Sequence, residues 1–345
     1  MKTTRYFLSL CILFLGFSLT VSGEEFKEGR IKLVLHENTG RFSLYYLNDL
    51  RRERYEALFV EQDPRTSFIT LMADDSTYRL GESTVFRPRI IGDGQRPAIH
   101  FESSFMTIIQ EFSFIRSSDS ALADGIRMDI RIVNNGERQL TAGVRFLLDT
   151  KLGESSAEHF STDRRDIGAE ILLSLEDQDR WWFSKNDETG LMGSISVPGV
   201  SRPDSIQRAN WKRLNDVPWK IAHVNGRNFN LLPYSVGDSA LCYYFDPVPI
   251  ARGSERTVSL LLAAASERGF SSIESGREDD LSRILLESSQ VQSSPELALR
   301  TDLITLGDLI SRIDEALENE SELTDEDLSA IKAALNRLKD RNDVR

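Results

Sequence analysis

In the stretch from Ser239 to Phe245, the six residues after the serine carry apolar or aromatic side chains on both faces of an extended backbone. Ala240, Cys242 and Tyr244 alternate with Leu241, Tyr243 and Phe245, so a strand here leaves neither face wet. The pattern reads as a central strand in a sheet covered on both sides. Asp246, Pro247 and Pro249 follow and are expected to end it, because proline has no N–H to give to a ladder.

Short strand signals recur from Phe26 to Ala265, with helical periodicity almost absent. Arg30–His36 and Arg41–Leu47, joined through Glu37-Asn38-Thr39-Gly40, predict a β-hairpin. Ser67–Ala73, Ser76–Leu80, Ser83–Ile91, Ala98–Glu102 and Met106–Ile115 continue the pattern, and the last slips its period midway, which predicts a bend or a bulge. Gly125–Val133 and Gln139–Leu148 flank Asn134-Asn135-Gly136-Glu137 and predict a second hairpin. Residues 149–165 lose periodicity and read as a long loop or an edge excursion. Apolar character returns at Leu172–Leu175, Trp181–Phe183 and Gly190–Val197, and Pro198–Asp216 reads as a connection with at most a short helix. This spacing predicts a mainly β fold, a large antiparallel β-sandwich; a barrel is the alternative, because strand order is invisible in sequence.

The first 23 residues are expected to be a cleaved signal peptide: Lys2 and Arg5 lead an apolar run from Phe7 to Leu19, and Val21-Ser22-Gly23 offers a small-residue exit. The run is short for a retained transmembrane anchor. Cys11 lies within it behind the bulky Leu10, a poor context for lipid attachment. The remaining chain is expected in the periplasm or another extracytoplasmic compartment, with Cys242 as its one cysteine and a buried core in place of disulfides. The formal net charge is −12, a balance that disfavours nucleic acid and anionic membranes and suits a basic protein partner.

Residues 24–267 are thus read as the sandwich and 268–294 as a linker with a short helix over Asp279–Ser288. Residues 295–342 are read as a C-terminal helical hairpin. Leu303, Leu306, Ile310, Ile313 and Leu317 form one apolar stripe and Leu328, Ile331, Leu335 and Leu338 another, joined by a short acidic turn with Thr324 as the second N-cap. These stripes must be buried against each other, against the sandwich or against a partner, and are the candidate protein contacts.

No P-loop, dinucleotide fingerprint, nucleophile elbow or short metal-ligand spacing occurs. No catalytic residue, metal or cofactor is therefore assigned. Asp149 and Glu154 flank the end of a strong strand, and Asp238 and Asp246 bracket the central one. Paired carboxylates suit sugar chemistry only at a defined separation. The stretch around them is rich in rings and amides, the combination that stacks on a sugar face and fixes its polar edge. It is also the combination that fills a loop-covered core. Trp211, Trp219, Arg227, Asn228, Asn230 and Tyr234 are the candidate ligand contacts.

At Gly143–Glu154, GVRFLLDTKLGE, and Gly226–Pro247, GRNFNLLPYSVGDSALCYYFDP, the chain resembles β-sandwich domains of exported bacterial proteins without assigned function, and is loosely similar to the galactose-mutarotase-like supersandwich class. That resemblance implies a fold over Phe26–Ala265. For a mutarotase it would imply a histidine and carboxylate pair, onto which neither His159 nor His223 aligns.

The leading expectation is a non-catalytic cell-envelope protein acting in assembly or protein interaction through its helices. The alternative is a carbohydrate-binding module. A carbohydrate-active enzyme using Asp149, Glu154, His159 or Asp238 ranks third.

Overall fold

The computed structural model describes residues 23–49, 52–60, 64–92, 96–116, 122–266 and 269–270, together with Lys332 and Lys339. In chain order the strands are β1 (Glu24–Glu28), β2 (Ile31–His36), β3 (Arg41–Asp49), β4 (Arg54–Ala57), β5 (Phe68–Ala73), β6 (Ser76–Arg79), β7 (Arg87–Ile91), β8 (Ala98–Glu102), β9 (Met106–Ile115) and β10 (Gly125–Asn134). They continue with β11 (Leu140–Asp149), β12 (Phe160–Thr162), β13 (Asp166–Ile167), β14 (Ile171–Ser174), β15 (Trp181–Lys185), β16 (Gly190–Ser194), β17 (Ser205–Asn210), β18 (Ser239–Ile250) and β19 (Glu255–Ala264). One short α-helix, α1 (Trp211–Asn215), interrupts them among the described residues.

Three antiparallel sheets result. A six-stranded sheet has the order β14-β17-β18-β11-β5-β6, a nine-stranded sheet the order β13-β12-β15-β16-β19-β10-β9-β8-β7, and β1 to β4 form a meander. The two large sheets face each other across one apolar core. Phe146, Leu148, Leu241 and Tyr243 come from the first, and Ile126, Met128, Ile130 and Leu260 from the second. The meander closes this core through Ile31, Leu33 and Leu44. Phe42, on β3, lies 4.9 Å from Phe112 in the nine-stranded sheet and 6.2 Å from Phe146 in the six-stranded one, centroid to centroid.

The expected central strand is present, with β17 on one side and β11 on the other. It does not stop at Asp246. β17 runs out at Tyr244, so beyond Phe245 only β11 is paired, and a register shift between Ala142 and Val144 takes up the Asp246-Pro247 step. The missing proline N–H groups therefore cost no ladder bond on a second side. A Cβ at Gly143 would sit 2.7 Å from the Pro247 nitrogen, so glycine is what lets the two backbones approach there.

The hairpin expected between β10 and β11 does not form. β10 pairs with β9 and β19, while β11 pairs with β5 and β18. Both strands carry a fully apolar face, and those faces bury each other only from opposite layers, so the chain crosses between sheets. Asn134 fixes the crossing: its buried side-chain amide donates to the Arg138, Ile250 and Ala251 carbonyls. The bulge expected in β9 is also absent, since its register with β10 is unbroken. Gln110 merely takes a core-facing position and donates to the Met128 sulfur at 2.9 Å.

The stretch read as a connection contains β17, whose six residues are all buried. Its polar sequence, Ser205 to Asn210, concealed it. The expected signal peptide, the helix at Asp279–Ser288 and the helical hairpin lie outside the described residues, except that Lys332 and Lys339 are helical and exposed. No helix among the described residues is long and apolar enough to cross a membrane.

Candidate carboxylate site

β11 ends at Asp149 and β18 starts at Ser239, side by side in the sheet. Ends of neighbouring strands bring their following and preceding loops together, and here those loops carry Glu154 and Asp238. One oxygen from each of Asp149, Glu154 and Asp238 lies within 4.8 Å of the others. Asp238 is far from the other two in sequence, and strand register brings the two loops together.

Each carboxylate is held by a neighbour. Asp149 donates its backbone N–H to the Ser67 hydroxyl at 2.8 Å, and its carboxylate bonds with the Thr66 side chain. Glu154 accepts the Ser239 N–H at 3.0 Å. The Ser235 hydroxyl bonds to Asp238. The loop that bears Glu154 is pinned where Gly153 donates to Ser184 Oγ, which in turn donates to the His159 carbonyl. His159 Nδ1 meets Ser239 Oγ at 2.8 Å and its ring packs 4.7 Å from Phe229.

Burial dominates the electrostatics. It raises Asp149 from its ordinary value to about 7, helped by the negative charges of Asp238 and Glu154 and opposed by the Thr66 hydrogen bond. Burial also raises Glu154, against the Ser239 N–H, and raises Asp238, against Ser235. His159 is lowered by burial and is neutral at neutral pH. Carboxylates this close resist ionising together, so the cluster holds a shared proton near neutrality. Asp149 is buried at 5% exposure and lies behind the half-buried Glu154 and Asp238, which present the cluster to solvent. Such a group can accept hydrogen bonds from hydroxyls, exchange a proton, or supply oxygen ligands to a hard divalent cation.

Asn210 organises the loop beside it. This buried side chain donates to the carbonyls of Phe229 and Asp238 and to Ser235 Oγ, while its oxygen caps α1 through the Lys212 and Arg213 N–H groups. A second anchor is Glu170, buried, which pairs with Arg213 and accepts the Val224 N–H at 3.1 Å.

The six candidate ligand contacts separate under this geometry. Trp211 and Trp219 are half-buried against the outer apolar cluster of the six-stranded sheet. Trp211 donates its indole N–H to the Thr66 carbonyl, and Trp219 packs edge-on to Tyr244. Asn228 and Asn230 bond within their own loop, to the Asn230 and Gly237 N–H groups, and the Arg227 carbonyl accepts the Glu170 N–H. Tyr234 is 71% exposed, between the equally exposed Leu232 and Val236. Asp246 is not part of the cluster and pairs with Lys220. Thr66 and Ser239 carry no sequence signal that marks them as supports of a site.

No known family profile matches the chain, and no curated protein is similar to it in sequence. Among solved structures it is similar to a galactose mutarotase related enzyme from Lactobacillus acidophilus, at 8% identity and TM-score 0.45, over 72% of this chain and 100% of that one. It is also similar to a galactose mutarotase-like protein from Lactobacillus casei, at 9% identity and TM-score 0.42, over 71% and 100%. A TPR-domain containing protein from Parabacteroides distasonis matches at 9% identity and TM-score 0.41, over 90% of this chain and 59% of that one.

Proposed function

We propose that the chain is a carbohydrate-binding protein of an extracytoplasmic compartment, which takes the hydroxyl groups of a neutral glycan at Glu154 and Asp238. The convergence of three carboxylates within 4.8 Å, beside a loop that exposes Tyr234, carries this reading. Carboxylate oxygens accept hydrogen bonds from sugar hydroxyls, and a flat ring stacks on the apolar face of a pyranose. The formal charge of −12 repels acidic glycans and leaves neutral ones. Asp149 does not touch the ligand in this scheme; its proton keeps the cluster from carrying three charges. Arg227, Asn228 and Asn230 form the outer rim. The assembly role expected of residues 295–342 is kept as a separate proposal for the tail.

Titration calorimetry with neutral oligosaccharides of glucose, galactose and mannose tests it on the full chain. Binding is expected to weaken at least tenfold in Glu154→Gln and Asp238→Asn, each of which removes a charged acceptor worth about 1.5–3 kcal/mol. Wild-type affinity in both variants would sink the site. A second reading, acid–base turnover of the bound sugar, is favoured by the proton Asp149 holds at about pH 7. Its signature would be product formation that Asp149→Asn slows while affinity is unchanged.

A further inference from the structure

A cleft lies away from the carboxylates. It encloses about 550 Å³ at the other end of the sandwich, where the β5–β6 turn meets the crossing from β10 to β11. Leu140 lines it and Asp149 ends the same strand nine residues on, which separates the two places by about 30 Å.

We propose that this cleft is a second binding site, which receives a lysine or arginine side chain from an extended basic segment of a partner protein. Two half-buried rings, Tyr78 and Phe105, line it, with their centroids 6.2 Å apart, and both lean on the buried Phe86 at 5.3 and 5.9 Å. Ring faces attract cations. The charged lining has the same preference. Asp74 is occupied by Arg138 at 2.7 Å and by the Thr141 N–H at 2.9 Å. Glu137 meets Arg252 only at the exposed rim, and Asp75 has no ion-pair partner among the described residues. Three carboxylates against one guanidinium leave the lining negative.

The backbone beside the cleft adds a means of holding an extended chain. Ser76 and Tyr78 belong to β6, the last strand of the six-stranded sheet, which pairs on one side with β5 and with no other strand among the described residues. An added strand would satisfy that edge and place every second side chain on the cleft side. The site is independent of the sugar reading, since both ends of β11 can be filled at once.

The test is fluorescence polarisation of a labelled hexapeptide alternating arginine and valine, titrated with the full chain at low salt, beside a citrulline version of equal shape. Saturable binding of the arginine peptide alone is expected, weakened about tenfold in the Asp75→Asn, Glu137→Gln double variant and by added salt. Both substitutions are exposed, so thermal melting should match wild type. A Glu24→Gln, Glu25→Gln variant in β1 controls for general acidity and should bind normally. Equal binding of the citrulline peptide, equal loss in the two double variants, or no binding of either peptide would each overturn the proposal.

Discussion

Glu154 accepts the backbone N–H of Ser239 at 3.0 Å, across 85 positions of sequence. This bond closes the loop after β11 onto the start of β18, and so places Glu154 against Asp149 and Asp238. A single neutral donor does not offset burial at any of the three, and all three carboxyls titrate high as a result, Asp149 and Glu154 with the added repulsion of neighbouring carboxylates.

Stability should therefore fall as pH rises from about 4 to 7. The folded-state pKa of Asp149 is raised from its ordinary 3.8 to about 7, so between those values the folded chain keeps a proton that the unfolded chain has released. Native protons exceed unfolded ones in that window, which makes the slope of stability with pH negative; above about pH 7 the contribution levels off. The full displacement corresponds to about 4 kcal/mol. Asp149→Asn should flatten the curve and melt higher than wild type at pH 8. Parallel wild-type and variant curves would show that the proton resides elsewhere.

Tyr234 and the two nearby tryptophans should behave as different kinds of residue. Tyr234→Ala removes an exposed ring that lies 5.6 Å from Lys212 Nζ, centroid to atom, so stability should change by less than about 0.5 kcal/mol while oligosaccharide affinity drops. Trp211→Ala and Trp219→Ala uncover the outer cluster around Leu147, Cys242 and Tyr244 and should each cost about 2–4 kcal/mol. Denaturant titration of the three variants, paired with calorimetry, separates the roles. Loss of stability in Tyr234→Ala equal to that in Trp211→Ala would contradict the assignment.

Gly193→Ala should lower stability by about 1–3 kcal/mol, the cost of overpacking. An added Cβ would overlap the Trp182 indole, which is wholly buried and whose N–H donates to the Tyr243 hydroxyl. That hydroxyl passes the chain on to the Ser194 carbonyl at 2.9 Å, so the nine- and six-stranded sheets are joined by polar contacts at this point. A changed near-ultraviolet dichroism of tryptophan, together with a lower melting temperature, is the expected result. Unaltered values of both would mean that the indole relaxes freely.

The sandwich was legible because its strongest strands announce themselves by alternation: β2, β3, β10, β11 and the first half of β18 all carry apolar side chains at period two. What alternation cannot report is which layer a strand joins. The Asn-Gly signal after Val133 reads as a hairpin turn, yet it carries the chain between sheets, because partner choice depends on where two buried faces can meet. β17 was illegible for the opposite reason. Gln207, Arg208 and Asn210 read as solvent-exposed residues and are buried. Of the site, Asp149, Glu154 and Asp238 were visible as carboxylates near strand ends, and His159 as a histidine of the acidic loop. Their convergence follows from register, which a single sequence does not state.

Asn210 offers the sharpest test of how the loop is held. Replacing it with alanine removes the cap of α1, worth about 1 kcal/mol, and takes one donor each from the buried Phe229 carbonyl, the Ser235 hydroxyl and the Asp238 carbonyl, the last of which keeps the Trp211 N–H. Each lost bond adds about 0.5–1.5 kcal/mol, for a total of about 4 kcal/mol. Hydrogen exchange should quicken at the amides between Phe229 and Ser239, and Asp238 should lose its fixed place beside Glu154. Asn210→Asp distinguishes capping from anchoring. Its oxygen still accepts the Lys212 and Arg213 N–H groups, but an ionised carboxylate faces the Phe229 and Asp238 carbonyls without a proton to give. The aspartate variant should therefore melt near wild type at low pH, where it is protonated and can donate one bond, and fall to the alanine value or below as it ionises. If the aspartate variant stays near wild type across the whole range, the helix cap alone accounts for Asn210 and the loop is held by Glu170 and Arg213.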